Sequence, residues 1–75
     1  MEDKFIQLFT EILEREERLK LDDKLEEIEG WDSLAALAVV SMIDDEYGIT
    51  MSGKDLEKMQ TVKDIFEYIK KKQTR

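Results

Sequence analysis

The chain has 75 residues, with twelve basic residues against nineteen acidic ones for a formal net charge of −7, and it contains neither cysteine nor histidine. No disulfide or thiolate site can form, and no imidazole is available to move protons near neutral pH, so catalysis by this chain alone is not expected. A surface this acidic repels the phosphates of nucleic acid and of anionic membranes, which excludes both as expected partners, and the same repulsion between copies favours a monomer.

Apolar residues make up 41% of the chain and recur at helical spacing, which separates it from a disordered chain of equal charge. The size suits one small all-α domain over residues 1–75. In chain order, the spacing of Phe5, Leu8, Phe9, Ile12 and Leu13 predicts a first helix starting near Glu2 or Asp3, with that stripe in the core. Glu11 with Arg15 and Glu14 with Arg18 form acid-first pairs on its outer side, the order that supports a helix. The first ten residues lack the basic start and long apolar run of a signal peptide. No stretch approaches the roughly 18 apolar residues of a membrane span, so the expected location is the cytoplasm.

From Leu19 to Asp32 the periodicity lapses, and Asp22, Asp23, Glu26, Glu27 and Glu29 crowd around Leu21, Leu25 and Ile28. This reads as a long ordered loop pinned by its three apolar residues, with room for a short helical turn. A second helix is predicted from Ser33 to Tyr47, closed by Gly48 in a left-handed conformation. Ala36, Val39, Val40, Ile43 and Tyr47 form its core stripe. A second stripe of Leu34, Leu37, Ser41, Asp44 and Asp45 is apolar near Ser33 and acidic at its far end, as suits docking on a basic partner with an apolar centre. Ile49 and Met51 continue in extended linkage, and Ser52 with Asp55 predicts a capped short third helix through Met59. Thr61 with Asp64 repeats that device before a last helix from Val62 to about Lys72. This helix buries Val62, Ile65, Phe66 and Ile69 and places Lys70, Lys71 and Lys72 at its negative end. The expected architecture is a four-helix bundle of three main helices and one short third helix, with a long ordered loop between the first and second.

Taken alone, a serine before an apolar helix is an N-cap. Ser52 and Thr61 each have an aspartate three residues on, whereas the corresponding residue after Ser33 is Ala36, so no carboxylate closes a box there. A phosphoester on Ser33 would meet free first-turn amides and the positive end of the helix dipole. Glu29 to Leu34, with the Asp32, Ser33, Leu34 triplet at its centre, resembles the phosphopantetheine attachment site of the acyl carrier proteins. The resemblance continues through Val39, Val40, Ile43, then Asp44 to Ile49, then Thr61, Val62, Asp64, Tyr68 and Ile69. It covers the chain from about Leu19 onward, and the first helix in pattern only.

The resemblance implies a carrier that is not an enzyme. A phosphopantetheinyl transferase would place 4'-phosphopantetheine from coenzyme A on Ser33, with Asp32 close to the transferase's magnesium. Acyl cargo would ride as a thioester to loading and processing enzymes. Leu34 and Leu37 would be the apolar centre of the docking face, and Asp44, Asp45 and Glu46 would meet basic patches on partners. Carriers of bacterial fatty-acid synthesis usually have acidic residues where this chain has Ala35 and Ala38, and a small residue where it has Trp31. It is closer in this respect to free-standing carriers of specialised pathways, such as cell-surface sugar or natural-product assembly. Leu56 and Ile65 are bulky where fatty-acid carriers often have alanines, which leaves little interior room for a long chain.

An aminoacyl or peptidyl carrier would use the same arm on Ser33. An unmodified helical adaptor would use Leu34 and Leu37 to bind a partner helix. Calcium binding by the acidic loop lacks the alternating ligands and central glycine of an EF-hand loop, and weak, diffuse binding of divalent ions is the most that its charge supports. An enzyme ranks last, because Ser33 and the carboxylates have no histidine base.

Overall fold

A computed structural model describes residues 2–73. Within them the chain forms α1 (Glu2–Ile12), a single 3-10 turn at Leu25–Glu27, α2 (Ser33–Tyr47), α3 (Gly53–Glu57) and α4 (Val62–Gln73). The core contains Phe5 and Phe9 of α1, Val39 and Ile43 of α2, Leu56 of α3 and Val62, Ile65 and Ile69 of α4. Phe5 meets Phe9 edge-on with centroids 5.7 Å apart and lies 5.5 Å from the Phe66 ring.

The buried side of α1 is rotated from the stripe that spacing suggests. Phe5, Ile6, Phe9 and Thr10 are buried, whereas Leu8, Ile12 and Leu13 pack half-exposed at the margin. The long loop draws the helix round: the Thr10 hydroxyl donates to the Ile6 carbonyl at 2.7 Å and accepts from the Leu19 amide at 3.3 Å, beneath buried Leu19. The helix also stops earlier than its charge pairs require. Glu14 adopts φ +54°, the Arg15 amide donates to the Thr10 carbonyl (3.3 Å), and the Glu14 amide donates to Glu11 (3.0 Å). This is a Schellman closure with glutamate in place of the usual glycine. With the helix over at Ile12, the pairs Glu11–Arg15 and Glu14–Arg18 do not form. Arg15 instead meets Glu17 at 3.6 Å, and Arg18 reaches Asp3 at 2.9 Å.

The loop is ordered by its backbone as well as by buried Leu25 and Ile28. Lys24 and Thr61 form an antiparallel bridge, and the Leu25 amide donates to Gln60 at 2.9 Å. The Val62 and Lys63 amides, which have no intrahelical acceptor at the start of α4, donate to the carbonyls of Asp23 (3.0 Å) and Leu21 (2.8 Å). The loop therefore finishes the N-terminus of α4 while Leu19, Leu25 and Ile28 seal the core beneath it.

In α2 the buried set is Ala35, Val39, Met42 and Ile43, with Ala36, Val40 and Tyr47 half-buried beside it. Gly48 ends the helix at φ +66°, its amide donating to Asp44 at 2.9 Å. The Tyr47 hydroxyl is buried without a hydrogen-bond partner, and burial pushes its pKa up. At α3 both halves of the Ser52–Asp55 box are present, and the helix ends at Glu57, two residues before Met59. The Tyr68 hydroxyl donates to the Asp55 carboxylate at 3.1 Å, tying α3 to α4. The Ser52 amide, then Tyr68, hold the Asp55 carboxyl below its ordinary value. Thr61 and Asp64 cap α4 reciprocally at 3.2 and 3.1 Å. Leu56 and Ile65 are 6% and 0% exposed, so the interior positions they occupy are filled by side chain.

Candidate functional site

Two local signals fix the start of α2. Gly30 takes φ +89°, turning the chain back toward the bundle, and the Trp31 amide donates to Ile28 at 3.1 Å. Asp32 is extended, and its carboxylate accepts from the Ala35 amide at 2.9 Å while its carbonyl accepts from Ala36 at 2.9 Å. The N-cap is therefore Asp32. Ser33 is not the cap but the first helical residue, because a carboxylate one residue earlier reaches the third amide of the turn first. As the alanine at position 36 implies, no capping box forms on Ser33, and the amide of Ala35 is held instead by the preceding Asp32.

Freed from capping, the Ser33 side chain is exposed, and among the described residues nothing hydrogen-bonds its hydroxyl. Its amide and that of Leu34 lie ahead of the first intrahelical bond and point outward at the positive end of the dipole. A phosphoester at the Ser33 Oγ would be favoured by these groups and opposed by the Asp32 charge. A cation shared by the phosphate and Asp32 would offset that opposition.

Leu34 is 77% exposed and Leu37 65% exposed, the large apolar side chains left most open to solvent among the described residues. With Ser41, Asp44 and Asp45 they share one side of α2, all exposed. Asp44 and Asp45 stand about 16–18 Å beyond Ser33 at about 1.5 Å per residue. Glu46 does not join them. It lies about 120° round the helix from Leu34 at 3.6 residues per turn, and its carboxylate pairs with Lys4 of α1 at 3.1 Å. Asp45 also edges a shallow groove of about 380 Å³ floored by Leu8, Ile12 and Met42.

Sequence reasoning missed the burial of Ala35, in the first turn of α2 and facing the core, and the packing of Trp31. The Trp31 ring stacks on Phe9, with centroids 5.6 Å apart and planes 29° from parallel. Among the described residues no group of three or more histidine, cysteine, aspartate or glutamate side chains is arranged to hold a metal ion. Among the described residues no helix is long and apolar enough to cross a membrane. The arrangement offers an accessible hydroxyl, an anion-favouring helix end and an adjoining apolar and acidic face.

The profile of a family described as the phosphopantetheine attachment site matches residues 3–69. An acyl carrier protein of Thermotoga maritima is 43% identical over 56 residues, which are 75% of this chain and 64% of that protein. One from Phytoplasma mali is 37% identical over 51 residues, 68% of this chain and 61% of that protein. The chain thus aligns with less than two thirds of the length of these curated relatives. A solved structure from Mycobacterium tuberculosis, assigned as an acyl carrier protein, superposes with a TM-score of 0.82 over 92% of this chain and 93% of its own. At 23% identity that likeness is one of fold.

Proposed function

The chain belongs to the phosphopantetheine attachment-site family, which the acyl carrier proteins share, and from that premise we propose that it is an acyl carrier modified at Ser33. The observation that carries this reading is the division of labour at the head of α2: Asp32 caps the helix and leaves the neighbouring serine hydroxyl exposed and unbonded. In the modification the Ser33 Oγ forms a P–O bond to the pantetheine-bearing phosphorus of coenzyme A. The bond from that phosphorus to the departing adenosine bisphosphate breaks, and the hydroxyl proton passes to the transferase. Asp32 adds a carboxylate beside the new phosphoester, suited to the transferase's magnesium. The bound 4'-phosphopantetheine supplies a thiol, which this cysteine-free chain lacks, for holding cargo as a thioester.

The remaining residues recognise rather than react, so the chain is a carrier and not an enzyme. Leu34 and Leu37 give an exposed apolar centre, with Asp44 and Asp45 further along the same side for basic patches on transferase, loading and processing enzymes. Glu46, held by Lys4, is the weakest member of that set. Such contacts are small and short-lived, as a carrier that changes partners needs. The reading takes residues 1–75 as one carrier domain, a monomer acting in the cytoplasm and serving a specialised pathway. Met1, Thr74 and Arg75 lie outside the described residues.

The test is intact mass after incubation with coenzyme A, magnesium and a broad-specificity phosphopantetheinyl transferase. The wild type gains one phosphopantetheine and Ser33→Ala gains none. A folded wild type that gains nothing refutes the carrier and favours a helical adaptor, whose function Ser33→Ala would leave whole. Loading of the modified protein by amino-acid-activating rather than acyl-activating enzymes would instead assign an aminoacyl carrier.

A further inference from the structure

We infer that Trp31 is a positioning residue for modification at Ser33: its ring, stacked on Phe9, tethers the turn that carries the serine to the core of the bundle. The inference rests on Ser33 being the attachment point.

Of the six residues from Glu29 to Leu34, Trp31 alone packs against the core, and the other five are exposed. The ring it rests on does not yield. Phe9 is 0% exposed and is braced edge-on by Phe5, which in turn lies 5.5 Å from Phe66 of α4. The turn is thereby registered against α1 and α4, not only against the helix that it begins. Its backbone adds the Trp31 amide bond to Ile28 at 3.1 Å and the Asp32 carbonyl bond from Ala36 at 2.9 Å, neither of which brings a side chain of the turn into the core. On one side the chain reverses at Gly30, a residue with no side chain to pack, and on the other it is held by the single side-chain bond from Asp32 to Ala35.

Positioning matters here because the Ser33 oxygen must approach phosphorus in line with the leaving group. A misplacement of about 1 Å can cost on the order of 100-fold in rate. An aromatic side chain suits such a tether, since it presents a large rigid contact and gains beyond area burial from ring–ring geometry. Phenylalanine at position 31 keeps that contact, whereas alanine removes it and leaves the turn held by α2 and by the backbone bond from residue 31 to Ile28.

The experiment compares wild type, Trp31→Ala, Trp31→Phe and Met59→Ala, the last a half-buried residue at the core margin beyond α3. Amide exchange in the unmodified protein reports the turn, and kcat and KM for the carrier with a broad-specificity transferase report its use. Trp31→Ala is expected to lose protection at the Ala35 amide and to fall between about 10- and 100-fold in kcat/KM. Trp31→Phe should recover most of both, and Met59→Ala should lower the melting temperature while changing neither. Wild-type kcat/KM in Trp31→Ala would overturn the inference, as would an equal slowing in Met59→Ala. Failure of the wild type to be modified would instead overturn the attachment reading, and the exchange data would still decide whether Trp31 holds the turn.

Discussion

Removing the Asp32 carboxylate separates what it does for the helix from what it does for the serine. Asp32→Ala deletes the bond to the Ala35 amide and the negative charge at the positive end of α2, while leaving the carbonyl bond to Ala36. Loss of an N-cap costs about 1 kcal/mol, and loss of a charge at the helix end about 0.3–1 kcal/mol. Asp32→Asn keeps an acceptor oxygen in the same place and forfeits only the charge. In a domain of this size each kcal/mol moves the melting temperature by about 4–8 °C. Asp32→Ala should therefore melt about 6–12 °C lower, taking about 1.5 kcal/mol for cap and charge together. Asp32→Asn should melt about 2–4 °C lower, for about 0.5 kcal/mol. Thermal unfolding by circular dichroism reads both, and intact mass after transferase treatment reads the other role. If the carboxylate serves the transferase's magnesium, both variants lose modification although only one loses much stability. Equal melting of the two variants would refute the capping argument, and modification of Asp32→Asn at the wild-type rate would refute the role of the charge.

Two left-handed residues should respond with opposite signs. Gly48→Ala places a side chain at φ +66° in open space, so the strain is conformational, on the order of 1–2 kcal/mol, and thermal unfolding should show the loss. Glu14→Gly relieves the same kind of strain at φ +54°, about 1–2 kcal/mol against about 0.5–1 kcal/mol of added chain freedom, and should raise the melting temperature. The Asp55 carboxyl is held below its ordinary value of 3.8 by the Ser52 amide and then by Tyr68, so the folded chain binds fewer protons there. That contribution is present above the unfolded value and lost as pH falls through the folded one. Tyr68 is raised above 10.0, chiefly by burial and next by Asp55, so its contribution is present below that value and lost as pH rises past it. Tyr68→Phe should flatten both limbs of the melting-temperature profile, and an unchanged acid limb would count against the bond. With Leu56 and Ile65 filling the interior, an octanoyl cargo should protect core amides from exchange no more than an acetyl cargo does. Selective protection of α3 and α4 by the longer chain would show that the core opens for it.

Three helix ends are written in neighbouring residues that the sequence by itself made legible. Gly48 closes α2, Ser52 with Asp55 opens α3, and Thr61 with Asp64 opens α4, each through side chain or backbone within four residues. The exposed stripe of Leu34, Leu37, Asp44 and Asp45 was legible for the same reason, because helical period alone fixes which residues share a side. The bounds of α1 were not. Spacing and charge pairs favour a longer helix, but the loop's hold on Thr10 and Leu19 turns the chain at Glu14 and swings Ile6 and Thr10 into the core. The pairing of the loop with the start of α4, the stack of Trp31 on Phe9 and the bond from Tyr68 to Asp55 join residues 13 to 42 positions apart. Periodicity and capping are local and carry no information about such contacts. Only packing the helices and the loop together decides which distant groups meet, and so how firmly the turn bearing Ser33 is held.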